Sequence, residues 1–277
     1  MKYAICNETF EGWGHPRICR FIADLGYTGL EIAPFTLGPL ITDVSADRRQ
    51  QMRQEAEENG VQILGLHWLL AKTQGFHLTS NEAAVRQRTA EYLVELAKAT
   101  RDFGGDLMVF GSPAQRRVPA DTSHARATDN AIDTFRLAAK GIADCGVRVC
   151  LEPLSPPDAD FMNTARETVA ILDALAHPAY CLHLDGKAMS TDEAPAPELI
   201  RRHSGRMGHF HANDPNLRGP GFGDTDFVPI FQALRDVNYE GWVSVEVFDY
   251  KPDPETIARE SLRYMLECET KAATKTI

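Results

Sequence analysis

Residues 242–248 read WVSVEVF. Successive side chains of a strand point to opposite faces, so Val243, Val245 and Val247 share one face while Ser244 and Glu246 share the other. The same phase runs through three stretches upstream. In VRVCLEPL (147–154), Val149 and Leu151 oppose Cys150, Glu152 and Leu154. In YCLHLD (180–185), Leu182 and Leu184 oppose Cys181, His183 and Asp185, and in MGHFHA (207–212) His209 and His211 lie on one face. Each is a short run with one branched apolar face and one face that turns polar towards its end.

Working back towards the N-terminus, four more β-like runs appear: KYAIC (2–6), GLEIA (29–33), QILGLHW (62–68) and LMVFG (107–111). Stretches of helical character follow the eight runs, at 15–26, 45–60, 81–104, 130–146, 164–175, 196–203, 227–238 and 254–267. Thr164 and Glu167 have the spacing of a capping box, and the second, fourth and seventh helices are expected to stop near Gly60, Gly146 and Gly241. Strict strand–helix alternation repeated eight times predicts an α/β fold, a single-domain (β/α)8 TIM barrel over residues 1–277 with a frayed tail from about residue 270. An open doubly wound sheet would carry a glycine-rich turn after the first strand. The turn here, NETFEGWGHP, has no G-x-G-x-x-G.

In a barrel the apolar face of each strand meets the helices, so the polar face points inward. Glu152, Asp185, His211 and Glu246 therefore face the interior at the C-terminal ends of strands five to eight, where active sites of this fold lie. They are 33, 26 and 35 residues apart in turn, one strand–helix unit each. Any one of them alone reads equally well as a salt-bridged strand-end group. Three carboxylates in one barrel mouth would repel unless a cation neutralised them, and with one imidazole they form a hard donor set suited to one divalent ion. Mn²⁺ is the expected ion, with Mg²⁺, Co²⁺ or Zn²⁺ as the others. His209 shares the phase of His211 but lies two residues deeper, roughly 6.5 Å at a strand's rise. It and His183 are expected to fill a deeper polar layer or to orient the ligands.

Composition bounds the rest. The chain of 277 residues is 43% hydrophobic and 25% charged, with a net charge of −10, so a nucleic-acid partner would need a local basic patch. Arg116–Arg117 and Arg201–Arg202 are the short candidates. The six cysteines form no C-x-x-C pair and read as buried thiols. The N-terminus turns polar too early for a signal peptide, and no apolar run approaches the ~18 residues a membrane span needs. A cytoplasmic protein with no membrane or nucleic-acid partner is expected. Residues 112–128 form a long polar stretch after strand four, read as a lid.

Four segments carry a resemblance: LEPLSPPDADFMNT (151–164), CLHLDGKAM (181–189), GHFHANDPNLRGPGFGDTDF (208–227) and GWVSVEVF (241–248). In them the sequence resembles the xylose isomerase-like sugar isomerase/epimerase superfamily, on its ketose 3-epimerase and inosose isomerase branch. The resemblance implies that Glu152 and Glu246 bind the metal and act as the catalytic acid/base pair, and that Asp185 and His211 complete the metal site. It also implies that Asp158, six residues after the first glutamate, contacts substrate oxygens, and that Arg218 is the substrate-binding arginine of the loop after strand seven. The implied reaction is proton transfer next to a carbonyl of a sugar, keto-sugar or cyclitol, through an enediolate. The chain departs from ketose 3-epimerases at Ala188, where they carry a substrate-contacting histidine. The same alanine removes a ligand that the family's zinc endonucleases require.

Around these residues, His67 and Trp68 line the pocket or pack behind it, Glu31 is a substrate-binding candidate, and Trp13 forms an apolar wall or packs at the surface. Lys187 binds an anionic substrate group or is simply solvated. If its ammonium turns inward, a keto-acid sugar becomes the expected substrate. Two alternatives to the isomerase/epimerase remain at this stage: a lyase or dehydratase acting on an oxidised sugar or glycoside, and a non-catalytic carbohydrate-binding barrel. A homo-oligomer, dimer or tetramer, is expected from the resemblance and from apolar residues such as Phe222 and Phe227.

Overall fold

In the computed structural model, which describes residues 1–274, each of the eight apolar runs is a strand. They are β1 Lys2–Cys6, β2 Gly29–Ile32, β3 Gln62–Leu66, β4 Leu107–Phe110, β5 Arg148–Leu151, β6 Tyr180–Asp185, β7 Met207–Ala212 and β8 Trp242–Val245. Every strand pairs in parallel with its neighbours in sequence, and β8 closes onto β1 through Tyr3–Val243 and Ala4–Ser244. The helices are α1 His15–Leu25, α2 Ala46–Glu57, α3 Ala83–Asp102, α4 His124–Asp144, α5 Ala165–Leu175, α6 Gly186–Met189, α7 Ala196–His203, α8 Val228–Asp236 and α9 Pro254–Thr274.

Strand phase sets the layers. Val149, Leu151, Leu182, Leu184, Val243 and Val245 belong to the large apolar core between strands and helices. On the other strand face, Ala4, Leu64, Leu107, Val109, Cys150 and Trp242 form a smaller apolar cluster. Above that plug the interior turns polar, with His183, His209, His211, Glu31 and Ser244 fully buried.

The helix ends refine the sequence expectations. Thr164 caps α5 by accepting from the Glu167 N–H, but Glu167 reaches back to the N–H of Asn163 rather than of Thr164. α2 and α4 are followed by left-handed Gly60 and Gly146. The residue that turns the chain after α8 is Asn238, at φ +53, and not Gly241, because an asparagine tolerates this conformation. α4 begins six residues before Asn130, since Ser123 accepts from the Arg126 N–H and starts the helix there. The expected lid at 112–128 is therefore partly helix. α9 is helical through Thr274, so the tail expected to fray from residue 270 is ordered that far. The rest of it lies outside the described residues. Phe227 is fully buried and so offers no apolar surface to an oligomer contact, whereas Phe222 is partly buried against the core. Among the described residues no helix is long and apolar enough to cross a membrane.

Candidate active site

Glu152 follows β5, Asp185 ends β6, His211 lies near the end of β7, and Glu246 follows β8. All four are buried. Ligand atoms of Glu152, His183, Asp185 and His211 lie within 4.8 Å of one another, close enough to hold one metal ion. Glu246 stands beside this group, its Oε2 3.1 Å from His211 Nδ1. The other ring nitrogen, Nε2, lies 3.1 Å from Glu31 Oε2. Donation of an imidazole N–H to a carboxylate fixes the tautomer of a metal-binding histidine and leaves its second nitrogen free for the ion.

The carboxylates are held from behind. Asp185 Oδ1 accepts from the Ala188 N–H at 2.8 Å, which makes Asp185 the N-cap of α6. Its Oδ2 accepts from the Asn213 amide at 2.6 Å, so one residue of the GHFHAND stretch positions another strand's carboxylate. Gly111 leaves the space that Glu152 occupies: a Cβ there would meet Glu152 Oε2 at 2.2 Å.

The charges in this cluster pull against one another. Burial and the negative charges of Glu246 and Asp185 push the Glu152 carboxyl well above the usual carboxylate range. Burial and Glu246 push Asp185 up to about 6, against the donors on its two oxygens. Burial would raise Glu246 and Glu31 as well, but the facing imidazoles win and hold both carboxylates low. Burial would likewise discharge His211, but Glu31 and Glu246 together raise it well above an ordinary imidazole. A divalent cation at this cluster would relieve the repulsion among Glu152, Asp185 and Glu246. His183, with neither ring nitrogen hydrogen-bonded, adds an unpartnered donor to the same cluster. The residues present fit a metal ion.

Glu152, Asp185 and Glu246 open onto a chamber of about 230 Å³, which His67, Asp158, Lys187 and Ala188 also line. Asp158 Oδ2 accepts from Ser155 Oγ at 2.5 Å and from Lys187 Nζ. The Lys187 side chain thus turns inward onto the chamber wall, where its ammonium is paired with Asp158. Ala188 presents its methyl to the chamber. Arg218 does not line it. Its guanidinium donates to Asp249 at 3.1 Å, and the neighbouring Leu217 occupies the wall. His67 is buried against Glu8, 2.9 Å from each carboxylate oxygen.

No sequence pattern marks Glu8, because it lies beyond β1 in a short 3-10 turn where no strand period applies. Glu31 faces His209 at 2.6 Å and His211 rather than the chamber, so its candidacy as a substrate contact is not met. His183 lies fully buried in the polar layer, as its strand phase leads one to expect, with neither ring nitrogen hydrogen-bonded. Arg116, which with Arg117 forms a short basic pair in the sequence, is fully buried. Its Nη1 donates to the carbonyls of Gly111, at 3.1 Å, and Glu152, at 2.7 Å. Those bonds tie the stretch after β4 to the end of β5, so residues 112–117 are a wall rather than a lid.

Residues 19–268 match the model of the xylose isomerase-like TIM barrel family. The chain belongs to that family. Among its relatives is the D-psicose 3-epimerase of Agrobacterium fabrum, 29% identical over 267 residues, covering 90% of this chain and 85% of that one. The 3-dehydro-D-guloside 4-epimerase of Escherichia coli is 30% identical over 139 residues, 49% of this chain and 52% of its own. A solved L-ribulose 3-epimerase superposes with a TM-score of 0.86 at 20% identity, covering 99% and 97% of the two chains, a likeness of fold. The relatives named in this family are sugar epimerases.

Proposed function

We propose that the protein is a divalent-metal-dependent epimerase or isomerase of a keto-sugar, moving a proton at the carbon next to the carbonyl. One observation carries this reading: Glu152 and Glu246 line the same chamber, beside Asp185. The two relatives named above invert C3 of a 2-ketose and C4 of a 3-keto-glycoside, in each case a carbon next to a carbonyl. A lyase or a non-catalytic binder finds no support among these relatives.

Glu152, Asp185, His211 and Glu246 would hold the ion, with manganese expected for a carboxylate-rich set with one imidazole. When bound, it supplies stabilisation of the negative charge that develops on the substrate's carbonyl and hydroxyl oxygens. The proton work belongs to the chain. Glu152 and Glu246 come from β5 and β8, three strands apart around the mouth, and so approach a sugar from different sides. One carboxylate takes the proton from carbon, and the other returns a proton from its own oxygen to the opposite face, inverting the centre. Asp158, held by Ser155 and Lys187, is placed to accept from a substrate hydroxyl. Glu31 keeps the His211 ring in one tautomer. A cytoplasmic location and a homo-oligomeric state stay part of this reading; the six free cysteines support the first, and the family resemblance supports the second.

Incubation in D₂O with 2-ketohexoses, 3-keto-glucosides and inososes tests it. Deuterium should enter at the carbon next to the carbonyl, with inversion. Metal analysis should find about one manganese per chain, lost in Asp185→Ala and His211→Ala. Full metal retention in both variants, or no exchange with any of these sugars, overturns the proposal.

A further inference from the structure

The chamber that holds the carboxylates adjoins a second cavity. Trp68, Pro113 and Phe248 form part of the chamber's wall, and the same three residues form part of the wall of the second cavity, of about 750 Å³. Trp68 and Phe248 meet edge to face at the junction, with ring centroids 6.0 Å apart. The outer cavity is bounded by α1, by the turns after β1 and β2, and by the loop after β8, with Trp13, Phe35 and Tyr250 on its wall. The inner chamber alone, at about 230 Å³, falls below the range of roughly 300–1,000 Å³ usual for ligand sites. The two together fall within it.

The backbone is bent to make the junction. Seven residues other than glycine have positive φ, and Trp68, Lys72, Ser112 and Leu217, four of the seven, lie on the walls of these two cavities. For a residue as bulky as tryptophan, a φ of +53 is rare, and such outliers gather where a ligand must be held. Ser112, at φ +47, accepts from the Leu70 N–H at 3.0 Å. It thereby anchors the loop that presents the Trp68 ring to both cavities.

Charge narrows what enters. Lys187, the one cationic side chain of the inner wall among the described residues, is already paired with Asp158. In the outer cavity Arg48 pairs with Glu55 at 2.9 Å, and Lys72 lies over the Phe35 ring at 4.0 Å. The inner chamber therefore offers no free cation for a phosphate or carboxylate, while in the outer cavity the Lys72 ammonium has an aromatic face and no carboxylate beside it. Aromatic faces interspersed with polar side chains suit a neutral sugar ring, whose C–H face packs on an aromatic ring while its hydroxyls find donors and acceptors.

From these observations we infer that the substrate is a keto-glycoside with two rings, uncharged at the oxidised ring. The oxidised ring sits in the inner chamber at the carboxylates, and a second sugar ring packs among Phe35, Trp68, Phe248 and Tyr250 in the outer cavity. This deepens the epimerase reading and rests on it. The second ring supplies binding energy remote from the reacting carbon and makes no bond to it.

The test uses the manganese-loaded enzyme with 3-keto-glucose, methyl 3-keto-glucoside and a 3-keto-glucosyl-glucose disaccharide, with deuterium entry followed by NMR. The disaccharide should exceed the methyl glycoside in kcat/KM by tenfold or more, mainly through a lower KM. Phe35→Ala and Tyr250→Ala alter partly exposed side chains. Once a thermal melt has shown each variant folded, the ratio of disaccharide to methyl glycoside should fall towards one. A ratio near one in the unaltered enzyme, or one that neither variant moves, overturns the two-ring assignment while the epimerase reading stands. Deuterium entering none of the sugars would remove both.

Discussion

At Gly111 the smallest side chain makes room for the most crowded carboxylate. A Cβ there would stand 2.2 Å from Glu152 Oε2, and φ at this glycine is not in the left-handed region, so alanine is acceptable to the backbone. Gly111→Ala should fold and still push the Glu152 carboxylate aside, lowering kcat at least a hundredfold if proton transfer by that group matters. Unchanged turnover in the folded variant would remove Glu152 from the proton path. Glu31 offers a second case. It accepts from His211 Nε2 at 3.1 Å, and loss of such an orienting carboxylate commonly costs about 10- to 100-fold in metal affinity. Glu31→Gln should weaken manganese binding by that factor and recover activity in excess manganese. An unaltered affinity would show that the ring is held without it. Residues such as these differ in how far sequence reveals them. The inward phase of Glu152, Asp185, His211 and Glu246 is legible because a period of two leaves a strand side chain only two directions. Lys187 is not legible in the same way, since Asp185 caps a one-turn helix immediately after β6 and the alternation stops there. The pairing of Lys187 with Asp158, and of Arg218 with Asp249, depends on how two loops meet, which no local pattern records.

Elements were read more completely than their ends. All eight strands lie where apolar runs predicted them, because a parallel barrel buries both strand faces and so marks its strands with apolar residues. Helix starts and stops depend on single hydrogen bonds. α4 begins early because one hydroxyl, that of Ser123, caps it. α5 ends on Ala176 in the left-handed conformation, at φ +47, where a Cβ costs about 1–2 kcal/mol. Ala176 is exposed, so removing its methyl sacrifices no packing. Ala176→Gly should therefore stabilise the protein by about 1 kcal/mol. A thermal or urea midpoint that falls would show that the extra freedom of glycine in the unfolded chain outweighs the relief. The wall after β4 gives the opposite expectation. Removing Arg116 strips two charge-assisted hydrogen bonds from the buried carbonyls of Gly111 and Glu152, each worth about 1.5–3 kcal/mol. Arg116→Ala should lower stability by several kcal/mol, as read by urea unfolding. A loss below about 1 kcal/mol would show that those carbonyls find other donors.

For the molecule as a whole, an ion held by the four proposed ligands would tie the site to global stability. At a free manganese concentration about a hundred times the dissociation constant, folding should gain about 2.7 kcal/mol, seen as a rise in melting temperature that EDTA reverses and that Asp185→Ala abolishes. A melt indifferent to manganese and to EDTA would argue that the cluster does not bind the ion. The closed strand order has a consequence for how the site comes into being. All four proposed ligands lie beyond residue 147, yet the acceptor that orients His211 is on β2, and β2 is brought round only when β8 has met β1. During synthesis the chain would carry Glu31 for most of its length before the imidazole it awaits has been made. A fragment starting at Val147 would own every ligand, with Glu246 still facing His211 Nδ1, but would lack the carboxylate that holds Nε2. Manganese affinity would in this sense be a gauge of ring closure, and the appearance of tight binding on a growing chain would time the moment when its first and last strands join.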